Sequence, residues 1–339
     1  MRWFKKLFIF LFLFALLWFV VARLDVDRLL REMYHLRLVP VVIMVILFVV
    51  SFLLWNLRWW FSLRFLGKVS FWRLLPVLMA GMFVNNVTPF AGTGGEPLRA
   101  FHAQRLMRKP GLKVFVLTVL EKLFGAVVVF LFLIVSLLFV VVKFDAYPVL
   151  QGIAFLFLAV LIVMAILGVL LFGRLHWRKL LLVDLLLSGV YWFRPLFSYL
   201  QKFSSANSFR VYINRKIDHG KVFVGRWLGH KDFVAINILI TLVITLVNFL
   251  TLYACFFALS FPIPFFSVVV VYTLATVLSD FSFSPGGVGI VEVLNVGLFS
   301  ALGVPLEIAA LVTLLNRVVY YVFALGIGYL CVLALHWKD

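Results

Sequence analysis

Six charged residues stand within or beside strongly apolar stretches, and any chemistry of this chain must be sought around them: Glu96, Glu121, Lys122, Asp280, Glu292 and Arg317. A charge at membrane depth is expensive unless paired or hydrated, so each is a functional candidate. Two of them close glycine-rich turns. The first turn runs from Pro89 through Gly94 and Gly95 to Glu96 and is approached through Asn85, Asn86 and Thr88. The second runs from Ser284 and Pro285 through Gly286, Gly287 and Gly289 to Glu292. Glycines admit positive φ and close backbone approach, and the free N–H groups of a helix that follows attract anions. Pro97 suits a first helical turn, and Arg99 lies three residues beyond Glu96. This chemistry fits a phosphate whose charge is offset by Arg99, Lys122 and Arg317. Glu96, Glu121, Asp280 and Glu292 then balance those cations or take a basic group, with Arg317 shared among Glu121, Glu292 and Asp280. Asn316 precedes Arg317, and Tyr320 and Tyr321 lie one turn beyond it. The competing reading is structural: the glycines permit tight packing, and the charges form buried pairs that lock helices together.

Enzymatic constellations are thin. The six histidines are scattered near the ends of apolar runs, with no His-Glu-x-x-His pattern, and the turn at Gly92–Glu96 lacks the Lys-Ser/Thr ending of a nucleotide-binding loop. Cys255 and Cys331 sit in apolar runs without metal-ligand spacing. No cofactor, metal or catalytic residue is expected. Asn86-Val87-Thr88 matches a glycosylation sequon beside a hairpin tip and is read as chance.

The elements that must position these residues follow from composition. Of 339 residues 65% are hydrophobic and 13% charged, and Phe alone occurs 39 times, which excludes a soluble domain. The expected fold is an all-α polytopic membrane protein, one transmembrane domain over residues 1–339. Full spans are read up to Ala22 and at 39–57, 114–142, 149–172, 233–258 and 308–335, six in all. The first begins with Arg2, Lys5 and Lys6 like a signal peptide, but has no small-residue cleavage site and is read as an uncleaved helix. Residues 71–88 and 265–283 read as re-entrant hairpins, because each breaks at a Pro/Gly turn.

Charge counting supports this topology. With both hairpins returning to their own side, 24 of the 31 Lys and Arg residues fall on the cytoplasmic side, including four from Arg58 to Arg73, five from Arg99 to Lys113 and eleven from Arg174 to Lys231. Both termini are then cytoplasmic. The net charge of +18 reports orientation and anionic headgroups, and no nucleic-acid partner is expected. Residues 174–232 mix basic and aromatic residues as helices lying in the interface do.

A repeat emerges on comparing the hairpins. Pro89 to Glu96 and Pro285 to Glu292 share the same spacing at an offset of 196, and Glu121-Lys122 parallels Asn316-Arg317 at an offset of 195. Residues 39–142 and 234–335 thus read as two copies. The single span between them, 149–172, makes the repeat inverted, an arrangement found in transporters with discontinuous helices.

The Asn-rich approach with Pro89, Gly94, Gly95, Glu96 and Arg99, the Glu121-Lys122 pair, Ser284 to Gly289 with Glu292, and Arg317 together resemble the transmembrane flippase-like domain of the lysylphosphatidylglycerol synthase/flippase group. The resemblance covers nearly the whole chain. It implies a translocator for lipids. Two-domain members carry a soluble C-terminal synthase domain; this sequence ends at Asp339 after its last helix, so the resemblance implies no synthase activity here but allows a separate lipid-modifying synthase as partner. Relatives often carry Arg where this chain has Lys122, which keeps the charge but gives up bidentate phosphate binding. The leading expectation is a lipid translocator of the cell membrane that passes an anionic or lipid-linked headgroup through a polar groove. An intramembrane transferase acting on a lipid-linked sugar and a structural subunit without transport are the alternatives. A structural subunit would bury every charge in direct pairs with no cavity.

Overall fold

The computed structural model describes residues 36–88, 94–143, 222–280 and 284–336, with isolated positions at 34, 152 and 220; the side chains at 142, 143, 280 and 336 are not among those described. The expected spans up to Ala22 and at 149–172, and most of the expected interfacial region 174–232, lie outside these residues. Among the described residues every regular element is helical.

Helix α1 (Leu38–Arg64) is followed by α2 (Phe71–Val87), α3 (Gly95–Met107) and α4 (Gly111–Lys143). Then come α5 (Lys231–Ala258), α6 (Phe265–Asp280), a 3-10 turn at Pro285–Gly287 and α7 (Ile290–Ala301). The chain closes with α8 (Leu306–Tyr321), a π-helical stretch at Val322–Ile327 and α9 (Gly328–His336). Among the described residues four stretches are long and apolar enough to cross a membrane: Leu38–Arg64, Gly111–Val141, Lys231–Ala258 and Leu306–Leu335. With 33 residues α4 is about 50 Å long, whereas α2, α6 and α7 have 17, 16 and 12 residues and are too short to span alone. The order long, short, short, long therefore occurs twice.

Local chemistry sets the breaks. Helix α3 ends where Arg108 takes a left-handed conformation (φ 53°) two residues before Pro110, which cannot continue it. Between α7 and α8, Gly303 (φ 84°) and Pro305 make the turn. The expected span 39–57 is longer in the structure: its helix runs on to Arg64 and carries Arg58 inside it.

Helices α1 and α5 run antiparallel. The Cys255 thiol donates to the Met44 sulfur at 3.3 Å, Ser51 Oγ to Asn248 Oδ1 at 2.8 Å, Arg58 Nη1 to Thr241 Oγ1 at 3.3 Å and Ser62 Oγ to Asn237 Oδ1 at 2.8 Å. As the number rises on one helix it falls on the other. Elsewhere α2 packs against both α3 and α9. Gly328 at the head of α9 lies so close to α2 that an added Cβ would stand 2.8 Å from the Met79 carbonyl oxygen and 2.9 Å from Phe83 Cβ. The last span is thus split by its π-helical stretch into α8, which packs on α7, and α9, which packs on α2.

Candidate functional site

The first half of the site is built by α2, α3 and α4 with Arg58 and Trp59 from α1. Gly81 and Gly95 let α2 and α3 touch backbone to backbone, since a Cβ on Gly95 would run into the Gly81 carbonyl. Gly94 precedes α3 and fits against the Thr88 side chain. With no side chain at its own N-cap, α3 is capped from the neighbouring helix: Asn85 Oδ1 accepts the Gly95 N–H at 2.6 Å. Asn85 Nδ2 also donates to Glu96 Oε1 at 3.4 Å, and Lys122 Nζ stands 3.1 Å from the same oxygen. The other oxygen, Oε2, is buried and accepts no hydrogen bond.

Glu121 is held from two sides. Arg99 Nη2 lies 3.1 Å from its Oε1, and Arg58 reaches it through Nε (3.2 Å to Oε2) and Nη2 (3.4 Å to Oε1). Arg99 also lies over the Trp59 ring at 4.3 Å, a cation–π contact, and the Trp59 indole N–H donates to Thr118 Oγ1 at 3.0 Å. Gly125, one turn beyond Glu121, leaves room for the guanidinium: a Cβ there would be 3.2 Å from Arg58 Nη1. Side-chain exposures of 10%, 7% and 3% for Arg58, Arg99 and Glu121 make this a closed cluster.

Arg58 corrects the sequence reading, which counted it among the cytoplasmic charges that set orientation. It is buried in the site because α1 continues past residue 57. Helical spacing could have revealed it, since Ser51, Arg58 and Ser62 fall at i, i+7 and i+11 on one face. The facing stripe on α5, Asn237, Thr241, Thr245 and Asn248, carries the same kind of signal and also lay unread.

The second half comes from the turn after α6, from α7 and from α8. Gly286, Gly287 and Gly289 take φ of 60°, 69° and 84°, conformations that other residues rarely adopt. Gly289 N–H donates to Glu292 Oε2 at 2.6 Å, closing the start of α7. Arg317 Nε stands 2.8 Å from Glu292 Oε1, close enough for an ion pair, but its N–H is not aimed at that oxygen, and neither Nε nor Nη2 makes a hydrogen bond. Tyr321 Oη donates to Glu292 Oε1 at 3.5 Å, and Arg317 lies 5.9 and 5.4 Å from the Tyr320 and Tyr321 ring centres. Glu121, expected as one partner of Arg317, instead belongs to Arg58 and Arg99. Asp280 ends α6, and its side chain is outside the described residues. Ser284 is buried beside the turn.

The halves meet at Asn86. Its Nδ2 donates to the Met82 carbonyl at 2.9 Å and to Tyr320 Oη at 3.0 Å. A Cβ on Gly286 would stand 2.6 Å from Asn86 Oδ1, so glycine is required where the two turns pass. Between the halves lies a cavity of about 440 Å³. Its lining includes Arg58, Glu96, Arg99, Glu121, Lys122 and Arg317, with Asn85, Asn86, Gly286, Gly287, Asn295 and Asn316. Of the sequence-predicted residues, Glu292 reaches the site through Arg317.

The two ion pairs occupy corresponding places. Glu96 with Lys122 and Glu292 with Arg317 follow the offsets of 196 and 195, each joining the carboxylate after a glycine turn to a cation on the long helix.

The model of one protein family, the lysylphosphatidylglycerol synthase TM region, matches residues 5–328. The chain belongs to that family. Similar curated proteins are archaeal UPF0104 membrane proteins. One from Methanocaldococcus jannaschii is 26% identical over 329 residues, covering 96% of this chain and 92% of the relative. One from Pyrococcus horikoshii is 24% identical over 310 residues, 90% and 89% of the two chains. A third, from Methanothermobacter thermautotrophicus, is 27% identical over 286 residues, 81% and 78%. Together with the four long apolar helical stretches among the described residues, this makes the chain a multi-pass integral membrane protein of the lysylphosphatidylglycerol synthase TM family.

Proposed function

We propose that this member of the family is a lipid translocator in which an anionic or lipid-linked headgroup crosses through the cavity while the tails stay in lipid. The observation that carries the reading is Arg317. Its side chain is 12% exposed and borders the cavity of about 440 Å³, its guanidinium is always charged, and its buried Nε and Nη2 make no hydrogen bond. A structural subunit predicts closed pairs and no cavity; the first half of the site meets the first condition, and the second half does not. A headgroup phosphate at Arg317 would complete its hydrogen bonds and replace headgroup water, which lowers the barrier to crossing.

In this reading residues 39–142 and 234–335 are inverted copies, and α2–α3 and α6–α7 are re-entrant hairpins meeting at depth. The antiparallel α1–α5 pairing, the doubled order of helix lengths and the matched ion pairs support it. Six full spans with both termini cytoplasmic in the cell membrane complete the proposal, on the positive-inside count. The chain acts without catalysis of its own on membrane lipids, including those supplied by a separate lipid-modifying synthase. Reconstitution into vesicles with a fluorescent headgroup-labelled anionic lipid tests this: the protein is expected to expose inner-leaflet label to an outside quencher, and Arg317→Ala to lose that activity. Equal quenching in protein-free vesicles would refute the proposal.

A further inference from the structure

The two ends of the helices carry unlike charge. At one end the turn from Phe65 to Ser70, between α1 and α2, lies against the turn from Arg108 to Pro110, between α3 and α4: a Cβ on Gly67 (φ 148°) would stand 3.3 Å from Lys109 Cε and 3.7 Å from its Nζ. The first turn is fixed by Trp60, whose indole N–H donates to the Val69 carbonyl at 2.8 Å and whose ring lies under Arg64 at 4.9 Å. Arg64, Lys68, Arg73, Arg108 and Lys109 are exposed here, and none of the five makes an ion pair among the described residues. The described carboxylate at this end, Asp232, adjoins Phe233, which stacks on Phe61 at 4.8 Å, and is exposed as well. At the other end, where the Arg37 N–H donates to the Ala258 carbonyl at 2.9 Å, the cations among the described residues are Arg37 and Lys143. Like charges gathered on adjoining turns repel unless anions stand among them. Apolar side chains are exposed between these cations: Trp72 at 70%, Leu106 at 44% and Phe101 at 43%, with Arg105 over the Phe101 ring at 4.2 Å. Aromatic rings and cations mixed in this way match the headgroup layer of a bilayer.

We propose that this end of the helices is a binding surface for anionic phospholipids, apart from the cavity, with Lys68, Arg73 and Lys109 taking the headgroup phosphates and Trp72 and Phe101 set at the boundary with the tails. The surface borders α1 and α4, both long and apolar enough to cross a membrane. Headgroups therefore stand beside it without a further partner, and its apolar side chains have tails to meet, which favours lipid over an acidic protein. The rest of the chain does not supply the anions. The two long segments outside the described residues are basic in sequence, with six Lys and Arg against three acids over residues 1–33 and eleven against two over residues 155–231. The surface does not rest on the translocator reading: Arg108 lies nine residues, about 14 Å along α3, from Arg99 at the cavity.

The test is native mass spectrometry of the purified full-length chain titrated with dioleoyl phosphatidylglycerol or dioleoyl phosphatidylcholine. Affinity is read for the second bound lipid, because a headgroup in the cavity accounts for one. The parent is expected to bind phosphatidylglycerol about tenfold more tightly than phosphatidylcholine, with the preference shrinking as ammonium acetate rises from about 0.1 M to about 1 M. Replacing Lys68, Arg73 and Lys109 together by Gln is expected to bring the preference to within about threefold while the melting temperature stays at the parent's. Lys109→Gln alone is expected to weaken phosphatidylglycerol binding about threefold, and Arg37→Gln, which removes one charge at the other end, to leave it unchanged. The two single variants carry the test if the triple variant does not fold. An undiminished preference in the triple variant, no dependence on salt, or equal losses in Lys109→Gln and Arg37→Gln would overturn the proposal. So would polyglutamate that binds the parent and not the triple variant in the absence of any lipid preference, which would assign the surface to an acidic protein. None of these outcomes touches the vesicle assay of translocation, which stands or falls separately.

Discussion

The two halves of the site around the cavity use similar parts in different ways. In each, a glycine turn delivers a glutamate to a cation on the following long helix, Glu96 to Lys122 and Glu292 to Arg317. One helical turn beyond the first glutamate stands Arg99, and beyond the second stands Asn295; beside the cations stand Glu121 in one half and Asn316 in the other. The first half of the site therefore gains a second ionic layer, Arg58–Glu121–Arg99, which closes on itself. In the second half the corresponding positions are neutral, and Arg317 keeps donors unsatisfied. On the proposed reading the first half is an anchor and the second holds the binding group.

The sharpest way to break this contrast is Glu121→Gln. It leaves two buried guanidiniums without their carboxylate, which should cost about 3–5 kcal/mol and appear as lost expression or a lowered melting temperature in detergent. A melting temperature equal to the parent's would mean that the layer is hydrated and not an anchor. Next comes the framework itself. In Gly95→Ala a methyl group meets the Gly81 carbonyl, forcing α3 away from α2 at a cost of about 1–3 kcal/mol, readable in the same melting experiment. The smallest effect is expected at Glu292→Gln. With 21% of that side chain exposed and its partner beside a cavity, stability should change by less than about 1 kcal/mol, since exposed and hydrated pairs contribute little. A larger loss would give both halves of the site the same anchoring role.

The glycine turns, the two glutamates, Lys122 and Arg317 were legible in the sequence because a charge or a glycine cluster inside an apolar run violates the local rule for a span. Arg58 was not, because basic residues at the end of an apolar run are what topology alone would place there, and its neighbours Trp59 and Trp60 look interfacial. Only the length of α1 decides its role. The sequence left Arg317 among three acids expected at membrane depth; the structure sets Glu292 beside it and gives Glu121 to Arg58 and Arg99. The Asn86 contact with Tyr320, 234 residues away, depends on how the two turns pass and has no local signature.

The account turns on Arg317 binding and Arg99 anchoring. The direct measurement is lipid translocation and melting temperature of Arg317→Ala and Arg99→Ala, each in one preparation with the parent protein. The account predicts that Arg317→Ala melts close to the parent and moves no lipid, whereas Arg99→Ala loses melting temperature because Glu121 and Trp59 lose a buried partner. A folded Arg317→Ala that still translocates lipid at the parent rate would contradict it.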